Sequence, residues 1–581
     1  MNARGRLRIV RIRRLAAGTA AAVAAMCTSM LAVTPASAAS YVPITGAGST
    51  WSANAIDAWV TNVAQYGMDV SYAAVGSTSG RQDFAQGTVD WGASEIPYGV
   101  QDGNNYDPPP DRGYAYMPDT AGGTTFMYNL KIGTTRVTNL RLSGAAIAGI
   151  FTGTITNWDN SIIQADNPGL TMPNLQIVPV VRSDGSGATA EFTEWMLTME
   201  SSDWTAYCAK VGRSPCTQTS TYPILPGSAM IGQSGDLGVS GYVSQAQADG
   251  AIGYVEYSYA LETGFPVALV LNQAGYYTQP TAENVAVSLL KAQIVGCDSD
   301  TGACSNPSNN PLYLTQNLSQ VYTDTDPRTY ELSSYSYMIL PTDVTDGFTT
   351  AKGYTLGAFG SYLLCQGQQQ VDALGYSALP INLVEAGFTQ LQQIPGNQVP
   401  TETAAEIQGC NNPTFSTNGT NTLADEDPDP PACDKQGTTQ CTAGTGGATT
   451  STPVKASAQG SQGSSSTSGT TGTTGNGSSS SPGASASKAA AGTPQGCDPD
   501  SGTCGTGGSS GGSGTGSGPL TVNGEPVSSP VSLGNGLQVT LMALAAALLL
   551  CLALGPPLIV QVTRRRRQGR FGPPGPPGAL P

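Results

Sequence analysis

Apolar residues along this chain follow three different patterns, and each predicts a different kind of structure. From about Tyr41 to Gly409, short runs rich in Val, Ile and aromatic residues alternate with segments whose apolar positions recur every three or four residues. That alternation of strands and amphipathic helices predicts an α/β architecture. From about Cys410 to Leu533 the residues are mostly Gly, Ser, Thr and Pro. Too little apolar surface is available there to offset the entropy of ordering, so residues 410–533 are expected to form a disordered linker. A flexible chain of that length has a root-mean-square span of roughly 60 Å, which suits a stalk. From Leu537 to Val562 the chain is almost wholly apolar, long enough to cross a hydrocarbon core of ~30 Å despite Pro556 and Pro557.

The flanking charges orient that span. Arg564, Arg565, Arg566 and Arg567 follow it at once, and a basic cluster of this kind stays on the cytoplasmic side. Residues 537–562 are therefore expected to be a single transmembrane helix and 563–581 a cytoplasmic tail, with everything from Ala39 to about Leu533 facing outward. At the other end, Arg4, Arg6, Arg8, Arg11, Arg13 and Arg14 precede an apolar stretch from Leu15 to Val33 and the small-residue triplet Ala36, Ser37, Ala38. This is the pattern of a signal peptide over residues 1–38. Met26 before Cys27 does not fit a lipid-attachment site.

Three turns inside the folded block stand out. Ile44–Thr50 (ITGAGST) is a short strand, two glycines and a Ser-Thr pair ahead of a segment with Ile56, Trp59, Val60 and Val63 at helical spacing. Val75–Gly80 (VGSTSG) follows an apolar strand around residues 70–75, with Ser77 placed to cap a helix. Val180–Ala188 (VVRSDGSGA) follows a Val/Ile-rich strand and precedes a helix carrying Phe192, Trp195, Met196 and Met199.

Composition narrows the chemistry. The 581 residues include no histidine, which removes the commonest general base and the His-containing zinc sites, so neither an enzyme nor a cofactor is expected. A net charge of −15 argues against nucleic acid as a partner. It leaves a small anion open, because a recessed site is governed by local amide dipoles and one or two charges. Apart from Cys27 and Cys551, ten of the 12 cysteines are exported, an even number suited to oxidising surroundings. Cys208 with Cys216, Cys297 with Cys304, Cys433 with Cys441 and Cys497 with Cys504 each close a short loop, which leaves Cys365 for Cys410. Two of these loops, CDSDTGAC (297–304) and CDPDSGTC (497–504), carry paired aspartates; without further ligands they read as stapled turns rather than calcium sites.

A helix N-terminus leaves amide donors unpaired and carries partial positive charge, so an oxyanion placed there gains hydrogen bonds without a lysine. Three such ends can enclose one tetrahedral ion. Thr50, Ser77 and Ser186 add hydroxyls, Gly48 and Gly187 allow close backbone approach, Arg182 supplies a full positive charge, and Asp184 is placed to hold its fork. Any one of these turns, taken singly, is more often just a helix cap. None matches the GxxxxGK[ST] loop of nucleotide-binding proteins.

These residues resemble a known family, the phosphate-binding receptors of bacterial ABC phosphate transporters, with the type II periplasmic-binding-protein fold. ITGAGST, VGSTSG, VDWGASEIP (89–97), FTGTITNWDN (151–160), NPGL (167–170), VVRSDGSG and GAIGYVEYSYA (250–260) occur in the family's order, and a looser match through GYSALP (375–380) extends to about Gln392. The resemblance implies a two-lobed domain over residues 41–409, with one lobe from about 41–121 and 261–409 and the other from about 122–260. It implies that Thr50, the Trp51 amide, Ser77, Arg182, Ser186 and Gly187 contact the anion. Two positions depart from the family. Glu95 stands where an aspartate usually accepts the phosphate's own proton, and Ala188 stands where a threonine usually adds a hydroxyl.

An acceptor carboxylate favours a P–OH group and repels fully deprotonated sulfate, so Glu95 preserves the basis of selectivity while adding a methylene. The expected function is capture of inorganic phosphate, or a similar oxyanion, outside the membrane for an ABC permease. The competing readings are a membrane-tethered sensor, scavenger or adhesin without a transport role, and a phosphoester hydrolase. The hydrolase lacks both a histidine base and a dense carboxylate cluster.

Overall fold

The computed structural model describes residues 40–455 apart from 104, 300 and 417–419, all within one compact unit. The expected signal peptide over 1–38, the part of the expected linker from 456 onward, the 537–562 span, the 563–581 tail and the expected Cys497–Cys504 pair lie outside the described residues. Among the described residues no helix is long and apolar enough to cross a membrane.

Eight strands share one sheet: β1 (Ile44–Gly48), β2 (Val70–Ala74), β3 (Trp91–Ser94), β4 (Tyr114–Tyr128), β5 (Val178–Arg182), β6 (Ile231–Gln233), β7 (Ala251–Glu256) and β8 (Ser333–Pro341). Their spatial order is β6-β5-β7-β4-β8-β3-β1-β2. The long strand β4 makes this arrangement possible. Its first part pairs antiparallel with β8, from Tyr114 opposite Pro341 to Gly123 opposite Ser333. Its last residues pair antiparallel with β7, from Thr124 opposite Glu256 to Tyr128 opposite Ile252. One strand thus belongs to two half-sheets, β2-β1-β3-β8 on one side and β7-β5-β6 on the other.

Parallel pairing of β1 with β2 and β3, and of β5 with β6 and β7, requires crossovers, and helices supply them. α1 (Ala53–Val63) buries Ile56, Trp59 and Val63, with Val60 half-buried, as the spacing predicts. α2 (Ser77–Ala85) links β2 to β3. α3 (Gly187–Met199) buries Phe192, Trp195 and Met196. The Phe192 ring meets Phe126, Phe151 and Tyr254 at centroid distances of 5.4, 5.2 and 5.0 Å, and burying one such ring stabilises the fold by about 2–3 kcal/mol. Gly46 lets β1 run beneath Trp91: an added Cβ would fall 2.1 Å from the indole.

Two boundaries differ from expectation. The second half does not end at 260. Leu269–Leu271 pairs parallel with Arg141–Leu142 and antiparallel with Tyr277–Thr278, because the chain beyond Gly264 continues along β4, with the Ala268 amide donating to the Phe126 carbonyl at 2.9 Å. The linker, in turn, does not begin at 410. Cys410 is bonded to Cys365, Asn412 and Thr414 donate to the Leu379 carbonyl at 2.9 and 2.8 Å, and Thr422–Glu426 is helical with Ala424 packed on Ala286 and Val287. Further on, the Cys433–Cys441 loop receives buried Arg141, which donates to the carbonyls of Cys433 and Thr439 and to Asp434. Thr138 and Thr452 bond each other, and the Lys455 amide reaches the Gly169 carbonyl at 2.8 Å. Residues 410–455 are poor in apolar side chains. A segment laid on an existing core needs only hydrogen bonds and staples to stay there.

Candidate functional site

The carboxyl ends of β1, β2, β3, β5 and β6 converge, which is where open α/β sheets place ligands. From β1 the chain passes through Gly48, Ser49, Thr50, Trp51 and Ser52 into α1. Gly48 has φ +148°, and a Cβ on it would lie 2.0 Å from the Ala93 carbonyl oxygen. From β2 the chain turns at Gly76, φ +94°, and Ser77 opens α2. Glu95 directly follows β3, Arg182 ends β5, and Ser186 caps α3 by accepting the Thr189 amide at 3.1 Å.

The three turns singled out in the sequence do meet. Gly76 donates its amide to the Gly48 carbonyl at 2.8 Å, and Thr78 donates to the Gly185 carbonyl at 3.0 Å. The Gly187 amide, opening α3, donates to Ser77 Oγ at 3.1 Å. A fourth turn joins them from β6: Gly235 and Asp236 open α4 (Gly235–Val243), and the Gly235 amide donates to Asp184 Oδ1 at 2.9 Å.

Charge in the cradle is concentrated on one guanidinium and three carboxylates. Arg182 is 1% exposed; its Nε and Nη2 donate to the two oxygens of Asp184 at 2.8 and 2.5 Å, and Nη1 donates to Asp236 Oδ2 at 2.6 Å. Burial by itself would lower the Arg182 pKa, but Asp236 and Asp184 raise it further above its ordinary value. The third carboxylate, Glu95, is also 1% exposed. Ser49 donates its hydroxyl to Oε1, Ser77 donates to Oε2 at 2.6 Å, and Ser336 of β8 lies 3.5 Å from Oε1. Burial pushes the Glu95 carboxyl up, and the two serine hydroxyls hold it partly down.

Thr50 donates its hydroxyl to Asp236 Oδ2 at 2.6 Å while its carbonyl receives the Tyr259 hydroxyl at 2.6 Å. The Trp51 ring is buried, with Nε1 donating to Thr124 Oγ1 at 3.1 Å and its carbonyl receiving the Tyr376 hydroxyl at 2.7 Å. Ala188, the second residue of α3, is buried in the core.

Ser49, Ser336 and Asp236 were not singled out in the sequence. Asp236 had a signal, since IGQSGDLG (231–238) repeats the strand, glycine and helix pattern of the other turns. Ser336 had none, lying inside the apolar strand SSYSYMILP. Asp298 of the CDSDTGAC loop accepts the amide and hydroxyl of Thr301 at 2.8 Å each, closing a turn. Among the described residues no group of three or more Cys, Asp or Glu could hold a metal ion.

Comparison with known proteins identifies what the chain is similar to. A model of the PBP superfamily domain matches residues 33–366. Phosphate-binding protein PstS of Xylella fastidiosa is 30% identical over 345 residues, which are 59% of this chain and 83% of that protein. Phosphate-binding protein PstS 2 of Mycobacterium tuberculosis is 26% identical over 343 residues, 57% of this chain and 82% of that one. The solved structure of the phosphate-binding protein from Stenotrophomonas maltophilia is 16% identical, covers 65% of this chain and 99% of its own, and superposes with a TM-score of 0.42.

Proposed function

The chain belongs to the PBP superfamily and, within it, to the phosphate-binding proteins, and from that premise we propose that it captures inorganic phosphate outside the membrane for an ABC-type importer. The observation that carries this reading is Arg182. A fully buried guanidinium, held by Asp184 and Asp236, stands among four glycine-rich turns that open helices.

In this reading the ion takes hydrogen bonds from the Thr50 and Ser77 hydroxyls, from the Trp51 and Gly187 amides at the starts of α1 and α3, and from Arg182, with Ser186 beside it. Gly48 and Gly187 give the backbone its close approach, and Asp184 holds the fork of Arg182. Glu95 accepts the proton carried by phosphate, which disfavours sulfate because two acceptors would then face each other. Ala188 offers no hydroxyl to replace a lost donor. The signal peptide would direct export, and the linker beyond 455 and the apolar 537–562 span would tether the receptor to the outer face of the membrane, beside a permease.

Calorimetric titration of the full chain with phosphate, arsenate, molybdate and sulfate tests the proposal. Phosphate and arsenate are expected to bind and sulfate to be excluded. No heat with phosphate under conditions where the chain is folded would overturn it.

A further inference from the structure

Ser77, one of the groups proposed to hold the ion, already holds a carboxylate, and the Gly187 amide, another, is tied to the same carboxylate through Ser77. Glu95 Oε1 receives the Ser49 hydroxyl and Oε2 the Ser77 hydroxyl at 2.6 Å. Behind these, Ser49 Oγ accepts the Ser52 amide at 3.1 Å, and Ser77 Oγ accepts the Gly187 amide at 3.1 Å. Donors from the starts of three helices therefore lead, through two serines, to one side chain. The side chain also fills the space itself: a Cβ built on Gly187 would lie 2.2 Å from Glu95 Oε2 and 2.9 Å from its Cβ. A carboxylate presents two charged oxygens with acceptor lone pairs only, the same face that an oxyanion offers to such donors.

We infer that Glu95 is the resident occupant of the cradle, a tethered anion that phosphate must displace before it can bind, so that the receptor responds only above a raised concentration of phosphate. This rests on the phosphate reading above and adds to it an order of events. Space for the displaced side chain lies next to it, in a cavity of about 300 Å³ lined by Glu95, Pro97, Glu191, Gln316 and Tyr322 among others. Moving there, Glu95 gives up Ser49 and Ser77 and stays within reach of the ion as the acceptor of its proton. The cost of vacating the cradle reduces the apparent affinity by the fraction of molecules in which Glu95 is displaced.

Two substitutions in the full chain test this with inorganic phosphate. Glu95→Asp keeps an acceptor but shortens the arm, so the carboxylate cannot reach Ser49 and Ser77 together. Ser49→Ala removes a hydroxyl that serves Glu95 and is not among the proposed contacts of the ion. Displacement predicts that both variants bind phosphate more tightly than the parent, Glu95→Asp by about tenfold, with the gain in the association rate measured by stopped flow. Affinities unchanged or weakened in both variants would overturn the inference. A readout without ligand separates this from the function itself: in Glu95→Asp, hydrogen exchange at the Ser52 and Gly187 amides is expected to quicken in phosphate-free buffer. If exchange quickens but neither parent nor variant binds phosphate, the occupant stands and the phosphate reading falls. Unchanged exchange would overturn the occupant whatever the ion.

Discussion

Ser77 gives its hydroxyl hydrogen to Glu95 Oε2 at 2.6 Å and takes the Gly187 amide hydrogen at 3.1 Å in return, so the state of the Glu95 carboxyl is felt at the start of α3, on the opposite half-sheet. Replacing that carboxylate by an amide of the same shape adds a donor where only acceptors stood. Glu95→Gln is therefore expected to narrow or reverse the preference for phosphate over sulfate at neutral pH. Competition between the two anions measures it, and an unchanged ratio would mean that Glu95 does not meet the ion.

Arg182 carries the full positive charge of the cradle. Arg182→Ala is expected to weaken phosphate by about 100-fold or more. It also leaves Asp184 and Asp236 as buried carboxylates without their cation, at a cost to stability of about 3–5 kcal/mol. Arg182→Lys should restore little, because one ammonium cannot serve the two oxygens of Asp184 and the oxygen of Asp236 in the planar geometry seen here. Titration calorimetry and urea denaturation, run in parallel, separate the two losses.

A pH dependence of stability follows from Asp119. It lies on β4 at the centre of the sheet, with Oδ1 accepting the Thr120 amide at 2.7 Å and Oδ2 3.5 Å from Ser336 Oγ. Burial and, less strongly, the nearby Glu95 raise its pKa, the hydrogen bond from Thr120 holds it partly down, and the balance stands at about 8. Between the ordinary value of 3.8 and about 8 the unfolded chain has released this proton and the folded chain has kept it. Stability from this group is thus fully present below the lower value and is lost as pH rises towards the upper one. Melting temperatures taken from pH 5 to pH 8 are expected to fall in the parent and to fall less steeply in Asp119→Asn. The residual slope belongs to other raised carboxyls such as Glu331, pushed up to about 7 by burial.

Removing the Cys365–Cys410 bond tests how firmly the segment after 410 is held. The bridge closes a loop with a sequence separation of 45, for which chain entropy predicts a contribution of about 4 kcal/mol. A double Cys365→Ser and Cys410→Ser variant should lose stability of that order by chemical denaturation. Proteolysis is also expected to begin earlier between Asn412 and Asp427.

What could be read from the sequence, and what could not, divides by distance along the chain. The turns at Gly48, Gly76 and Gly187 were legible because a strand, a glycine, a hydroxyl residue and a helix are written within a few consecutive positions. Their partners were not. Thr50 and Asp236 are 186 residues apart, and Glu95 and Ser336 are 241 apart, and a serine inside an apolar strand gives no sign of pointing at a carboxylate. The packing of 410–455 escaped for a different reason. Counting apolar residues asks whether a segment can build a core, whereas these residues bind to one that is already there.

That segment decides how a mechanical load would pass through the molecule. The chain leaves the described fold at Lys455, whose amide is bonded to Gly169 and which follows Thr452, bonded to Thr138. Tension applied beyond that point enters the patch of residues 138–169 through these bonds, through Gln440 at Asn139 and Asn167, and through the Cys433–Cys441 loop gripping Arg141. That patch is tied to the end of β4, where the Tyr128 hydroxyl accepts the Leu140 amide at 3.1 Å, and none of these bonds falls on a residue of the cradle. A pull on the chain after Lys455 would therefore peel residues 433–455 before it reached the cradle.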